Sequence, residues 1–100
     1  MNLEFRKDIL LSAQKSLCGA IYPEVRAVAI GYKSKKLKVI YYLDREPNEE
    51  DFEIISIVTT EIIADFPDNT FKEIIENCIH TDKLIKDLDF LDGFVYVRKE

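Results

Sequence analysis

The chain has 100 residues, of which 47% are hydrophobic and 33% charged, with only three prolines and three glycines. These values indicate one globular domain, residues 1–100, and they exclude a disordered chain or a long low-complexity linker. The net charge of −5 disfavours binding to nucleic acid or to an anionic membrane surface.

The charge is distributed unevenly along the chain. Residues 1–43 contain eight Lys/Arg and three Asp/Glu, a net charge of +5, whereas residues 44–100 contain six and sixteen, a net charge of −10. Such an asymmetry concerns partners rather than fold. We expect the acidic part to repel polyanions and to attract a basic protein.

Targeting and redox signals are weak. The apolar run Ile9-Leu10-Leu11 is too short for a signal-peptide core or a membrane span, so a cytoplasmic protein is expected. The two cysteines, Cys18 and Cys78, lie in apolar stretches, and two buried, reduced thiols are the favoured interpretation.

The first predicted elements are a helix and a hairpin. Apolar residues recur at helical spacing from about Leu3 to Leu17, and Gly19 is placed to end that helix. Two β-rich runs, Val25–Tyr32 and Leu37–Leu43, follow with a short lysine-rich turn between them, which is typical of a hairpin. One face of the first strand carries small residues, and we expect a helix to lie close to it: Val25, Ala27, Ala29 and Gly31.

The most acidic stretch, Asp44–Glu53, leads into a second helix. Asn48 is a good N-cap, and the acidic residues after it complement the positive end of the helix dipole. Pro67 is placed to end this helix. Its buried stripe is predicted to consist of Phe52, Ile55, Val58 or Thr59, Ile62 and Phe66.

The last part of the chain predicts a strand from Phe71 to His80, a loop from Thr81 to Gly93 and a strand from Phe94 to Arg98. The fold class is therefore α+β in the order α-β-β-α-β-β. We expect a four-stranded, mainly antiparallel sheet with both helices on one face. Whether the third strand lies beside the first or the second is left open.

No catalytic motif is recognisable. Cys78 and His80 share a strand face and would suit a Cys-His dyad or half a zinc site, but a buried cysteine and a strand-end histidine are the simpler interpretation. No cofactor or metal is expected. The lysines of the hairpin turn are better explained by solubility than by nucleic-acid binding, because the chain is acidic.

Two carboxylates stand where local electrostatics disfavour them. Glu61 and Asp65 lie four residues apart near the negative end of the second helix dipole. Such placement predicts a cationic neighbour, either internal, for example Arg26 or Arg98, or supplied by a partner.

The candidate partner-binding residues are the other carboxylates of the acidic part. The loop aspartates do not fit a calcium loop and have no evident structural role, so a solvated acidic surface or a docking surface for a basic protein is expected. The candidate set comprises Asp82, Asp87, Asp89 and Asp92 from this loop and Glu46, Glu49, Glu50 and Glu53 near the second helix.

Three segments carry a family resemblance: residues 25–30 (VRAVAI), residues 42–51 (YLDREPNEED) and residues 60–67 (TEIIADFP). They resemble small bacterial immunity proteins encoded beside polymorphic toxins, notably those of contact-dependent growth inhibition. The resemblance spans Leu10 to Pro67 and weakens after Phe71.

The resemblance implies a non-catalytic cytoplasmic protein that binds the C-terminal domain of its cognate toxin and blocks the active site. Many such toxins are nucleases with basic clefts, which an acidic inhibitor would fit. Two alternatives remain open at this point. One is a regulatory or adaptor module, with a homodimer through an open sheet edge as one form, and the other is a small enzyme using Cys78 and His80.

Overall fold

The computed structural model describes residues 3–100 and has the predicted order of helices and strands. The elements are α1 (Leu3–Ser16), β1 (Val25–Lys33), β2 (Lys36–Leu43), α2 (Glu49–Ala64), β3 (Glu73–His80) and β4 (Gly93–Val97), with one 3-10 turn at Ile85–Asp87. Among these residues neither helix is long and apolar enough to cross a membrane.

The strands form one sheet in the order β3-β2-β1-β4. β1 is antiparallel to both of its neighbours, and β2 is parallel to β3. The prediction of a mainly antiparallel sheet is therefore confirmed. The crossover through α2 places β3 beside β2, which answers the question that the sequence left open.

Both helices pack on one face of the sheet, as predicted, and build the larger core. α1 contributes the apolar stripe of its i+4 pattern, and α2 contributes residues at three- and four-residue spacing. The buried members from the helical segments are Ile9, Ala13, Leu17, Ile55, Val58 and Ile62.

One residue of the predicted α2 stripe lies elsewhere. Phe52 is 47% exposed, whereas its neighbour Asp51 is fully buried. Asp51 is held inward by hydrogen bonds from neighbouring side chains, so it takes the core-facing position in the first turn of α2. Phe52, one residue further along, is rotated towards the outer surface of the helix.

The prediction that a helix lies against the small residues of β1 is wrong. Ala27 and Ala29 face away from the helices and pack with Ile40, Tyr42 and Leu88, so the segment after β3 covers them. The chain can lie this close because β1 has small side chains there. A Cβ atom added to Gly31 would lie 3.0 Å from Cβ of Leu91.

The prediction of two buried thiols is wrong for Cys18. Both cysteines are free; Cys18 is exposed and Cys78 is partly buried. Cys18 follows the last turn of α1, immediately before Gly19 with its φ of +78°, and it lies at the surface. The apolar stripe that begins in α1 ends at the buried Leu17, and Cys18 falls just outside it.

Gly31→Ala tests the close approach of the C-terminal segment to β1. We expect a loss of about 1–2 kcal/mol in the free energy of unfolding, because the added methyl group overpacks the contact with Leu91. Hydrogen bonds from the backbone N–H of Leu91 to Asp89 and from that of Asp92 to Ile30 restrict movement of Leu91 away from β1. Urea unfolding measures the change. Gly19→Ala is a useful comparison, because its Cβ meets nothing within 4 Å and its cost would come from backbone conformation alone. An unchanged stability in Gly31→Ala would contradict the close contact.

Candidate functional site

The carboxyl ends of β2 and β3 lie at the same end of the sheet because the two strands are parallel, and α2 begins there. This arrangement brings together acidic residues from two separate parts of the sequence. We call this region the acidic end and define it as Asp44, Glu46, Glu49, Glu50, Glu53 and Asp82.

His80 lies between the two parts of the acidic end. Its Nδ1 lies 3.1 Å from Oε1 of Glu46, and its Nε2 lies 3.8 Å from Oδ1 of Asp82. The carboxylate side chains are 84% and 96% exposed, respectively, so both remain open to a partner. Among residues 3–100 no group of three His, Cys, Asp or Glu side chains is placed to hold a metal ion.

An ion pair between the buried Asp51 and the partly exposed Arg45 holds the acidic end in position. The carboxylate of Asp51 accepts hydrogen bonds from Arg45 at 2.7 and 3.0 Å, from the hydroxyl of Tyr22 and from the backbone N–H of Asn48. Asn48 in turn caps α2 by accepting from the backbone N–H of Asp51, so the predicted N-cap is confirmed. The loop between β2 and α2 is thus fastened to the core.

These contacts determine the ionisation of Asp51. Hydrogen bonds from Arg45, against the opposing effect of burial, lower the pKa of Asp51 from 3.8 to about 2. Burial, and then the hydrogen bond to the Asp51 carboxylate, raise the pKa of Tyr22 well above its ordinary value. Asp51 is therefore an anion and Tyr22 a neutral donor at neutral pH.

Two arginines near the acidic end, Arg26 and Arg98, form ion pairs with carboxylates of the same chain. Arg98 lies 2.7 Å from Asp44, and the buried Arg26 lies 2.7 Å from Glu100. Hydrogen bonds from Arg26, and more weakly from Arg98, lower the pKa of Glu100 to about 2. These pairs leave the remaining carboxylates of the acidic end without an internal arginine.

The free negative charge is accordingly concentrated on the start of α2. Within the described part of the chain, Glu49, Glu50 and Glu53 are exposed and lie within 4 Å of no lysine, arginine or histidine nitrogen. Among residues 3–100, His80 is the one basic side chain with a nitrogen within 4 Å of the carboxylates of Glu46 and Asp82. This part of the predicted set forms one continuous acidic region by element position, because Glu49 and Glu50 lie in the first turn that follows the Glu46 loop.

The other loop aspartates lie apart from the acidic end. Asp92 is at the far side of the sheet, where its Oδ2 accepts from the backbone N–H of Tyr32 at 2.7 Å. Asp89 accepts from the backbone N–H of Leu91 at 2.9 Å. Two of the four residues thus have structural roles that the sequence did not reveal, and Asp87 is exposed in the 3-10 turn.

The cationic neighbour predicted for the end of α2 is present, but its identity was wrong. Asp65 pairs with Lys15 of α1 at 3.1 Å and accepts from the hydroxyl of Ser12 at 2.6 Å. The hydroxyl and then the ammonium group lower the pKa of Asp65. Arg26 and Arg98 are occupied elsewhere, and among the described residues Glu61 has no ion-pair partner.

The arrangement around Cys78 and His80 does not resemble an activated nucleophile. Burial raises the pKa of the Cys78 thiol to about 11, so the thiolate is scarce at neutral pH. Both ring nitrogens of His80 face carboxylates instead of the sulfur. The contact that the sequence did not reveal for His80 is its hydrogen bond with Glu46.

Comparison with known proteins identifies one matching family. The model of a family described as MafI2 immunity protein matches residues 6–100. No curated protein matches the chain. The solved structure "MamM CTD - Copper form" is similar over 87% of this chain and 92% of its own, at 18% identity and a TM-score of 0.46, a likeness too slight to carry any argument.

Asp51→Asn tests the ion pair between Asp51 and Arg45. We expect the free energy of unfolding at pH 7 to fall by about 2–4 kcal/mol, because the substitution leaves Arg45 without its anion and buries an amide in a site built for a carboxylate. Urea unfolding gives the value. Asp68→Asn, at an exposed position after α2, is the matched control and should change stability little.

The same pair of variants tests the pH dependence. The folded-state pKa of Asp51 is about 2 and its ordinary value is 3.8, so its stabilisation is complete above pH 3.8 and is lost as the pH falls towards 2. Stability should therefore fall less steeply across this window in Asp51→Asn than in Asp68→Asn. Equal acid slopes would show that Asp51 is not held as an anion.

Proposed function

The chain belongs to the MafI2 immunity protein family, and from that membership we propose how it neutralises its cognate toxin. We propose that the acidic end enters a basic active-site cleft of the toxin domain and occludes it, and that the toxin is a nuclease. The toxin would be delivered by contact-dependent growth inhibition or by another polymorphic toxin system.

The observation that carries this proposal is the unpaired charge at the start of α2. Nuclease clefts bind phosphate groups through lysines and arginines, and an array of exposed carboxylates is their electrostatic complement. Glu49, Glu50 and Glu53 are free to pair with such cations, since their neighbouring arginines are already occupied.

Exposed apolar side chains on the same helix support a protein partner. Phe52 is 47% exposed and Ile57 is 59% exposed, and both lie on the outer side of α2. Ile57 is four residues from both Glu53 and Glu61, so it is flanked by carboxylates on the helix surface. An apolar anchor within a charged rim is typical of a protein–protein interface.

The residues that we assign to toxin binding are narrower than the full acidic set. Glu46, Glu49, Glu50, Glu53 and Asp82 form the proposed contact surface at the acidic end. Asp87 is exposed and could be added only by a partner that reaches the 3-10 turn. Asp89 and Asp92 stay outside the proposal, because their carboxylates hold the loop against the sheet.

The test is a triple variant, Glu49→Gln, Glu50→Gln and Glu53→Gln, assayed for binding to the cognate toxin domain. We expect the association rate constant to fall about tenfold or more at low salt, and its salt dependence to weaken, because electrostatic steering is lost. Stopped-flow or surface plasmon measurements at several salt concentrations give both quantities.

The matched control is Glu4→Gln, Asp8→Asn and Asp68→Asn, which changes the net charge equally at exposed positions outside the acidic end. Thermal unfolding of both triple variants accounts for the loss of dipole stabilisation at the start of α2, about 0.3–1 kcal/mol per carboxylate. If the two triple variants bind the toxin domain alike, the acidic end is not the contact surface.

A further inference from the structure

The end of the sheet opposite the acidic end contains a cleft of about 740 Å³. This volume lies in the range of known ligand-binding clefts, roughly 300–1,000 Å³. The cleft is lined by one carboxylate, that of Asp92, by the cationic residues Arg6, Lys33, Lys36 and Lys38, and by Gly31, Tyr32, Ser34, Ile75 and Leu91. We call it the basic cleft.

The charge of the basic cleft is only partly compensated from within. Lys36 lies 3.9 Å from Glu73, with both side chains more than half exposed. The carboxylate of Asp92 accepts from the backbone N–H of Tyr32 and compensates one further positive charge of the cleft. Within residues 3–100, Lys33 and Lys38 lie within 4 Å of no carboxylate, so the cleft keeps a positive charge in a protein whose net charge is −5.

Hydrogen bonds hold the segments that form the basic cleft. Arg6 donates to the backbone carbonyl of Asp92, which ties α1 to the start of β4. The hairpin turn has positive φ at Ser34 and Lys35, 53° and 62°, as in a type I′ turn. The carbonyl of Lys35 also accepts from the backbone N–H of Lys72 at 2.7 Å. The turn is therefore held by the β1–β2 pairing and by the segment that precedes β3.

We propose that the basic cleft binds an acidic peptide segment of the toxin, in addition to the contact made by the acidic end. This inference rests on the proposed function only in taking the toxin as the partner. Carboxylates would pair with Lys33 and Lys38, and an apolar side chain of the segment would lie against Ile75 and Leu91. Among the described residues that line the cleft, Tyr32 is the one aromatic side chain, which suits a peptide better than a run of stacked bases.

Charge and distance both permit a segment to reach the cleft. A long polyanion would meet the acidic end of the same molecule, whereas a short acidic segment would not. The longest dimension of the protein is 35 Å. An extended segment of about ten residues spans that distance at roughly 3.3 Å per residue, so a linker flanking the toxin domain could reach from one end to the other.

Two oppositely charged contact sites would also fix the orientation in which the toxin binds. A toxin that presented a basic cleft and an acidic segment would bind in one orientation only, because the reversed orientation places like charges together. The proposal thus gives the lysine-rich hairpin a role in specificity.

The first test compares two double variants with the same change in net charge. Lys33→Glu with Lys38→Glu reverses charge in the basic cleft, and Lys83→Glu with Lys86→Glu does so in the loop after β3. With the cognate toxin domain and its flanking segment together as the ligand, we expect Kd to rise at least tenfold for the first variant. Kd should not rise for the control, because its added negative charge lies next to Asp82 of the acidic end. Thermal unfolding confirms that both variants are folded.

The second test identifies the ligand by NMR titration of the free protein with hexaglutamate and, separately, with a hexathymidylate oligonucleotide. We expect hexaglutamate to shift the amide signals of Tyr32–Lys38 and Ile75, and the shifts to vanish in Lys33→Glu with Lys38→Glu. Shifts with the oligonucleotide alone would assign the cleft to phosphate groups and overturn the proposal, as would no shift with either probe.

The two proposals fail in different ways. If the toxin binds the cleft variant as tightly as the unchanged protein, the basic cleft is not a contact site and the proposed function stands. If neutralising Glu49, Glu50 and Glu53 leaves toxin binding unchanged while the cleft variant weakens it, the acidic end is not the contact surface and the proposed function fails. The basic cleft is then still supported as a contact site.

Discussion

The buried carboxylate of Asp51 is the interaction on which the geometry of the acidic end depends. It joins Arg45 before α2, the N-cap Asn48 and the hydroxyl of Tyr22, and therefore fastens three segments at one point. A charge that is fully buried must be paired and hydrogen-bonded, and this one is. Because Arg45 is paired with Asp51, it does not neutralise the exposed carboxylates of Glu49, Glu50 and Glu53.

Topology then separates the charges of the molecule. The parallel pairing of β2 with β3 places Glu46 and Asp82 at one end, where His80 lies between them. The same pairing places the lysine-rich hairpin at the other end, beside the start of β3. An uneven charge along the sequence has become an uneven charge in space. Membership of the MafI2 immunity protein family implies a cognate toxin as the partner.

The sequence predicted the order of elements and the N-cap at Asn48, because periodicity and capping are local signals. It did not predict that Ala27 and Ala29 face the C-terminal segment, since a small-residue face is equally compatible with a helix or a loop. The role of Asp92 was missed for a related reason. Its partner is a backbone N–H sixty residues away, and no spacing in the sequence records such a contact.

The most direct test of active-site occlusion is competition between this protein and a substrate analogue for the cognate toxin domain. A non-cleavable oligonucleotide bound in the toxin's cleft should displace the protein, with an apparent Kd that rises linearly with oligonucleotide concentration. Mutually exclusive binding is the predicted result. A stable ternary complex of toxin domain, oligonucleotide and this protein would contradict the account, because the acidic end and the nucleic acid would then occupy different surfaces.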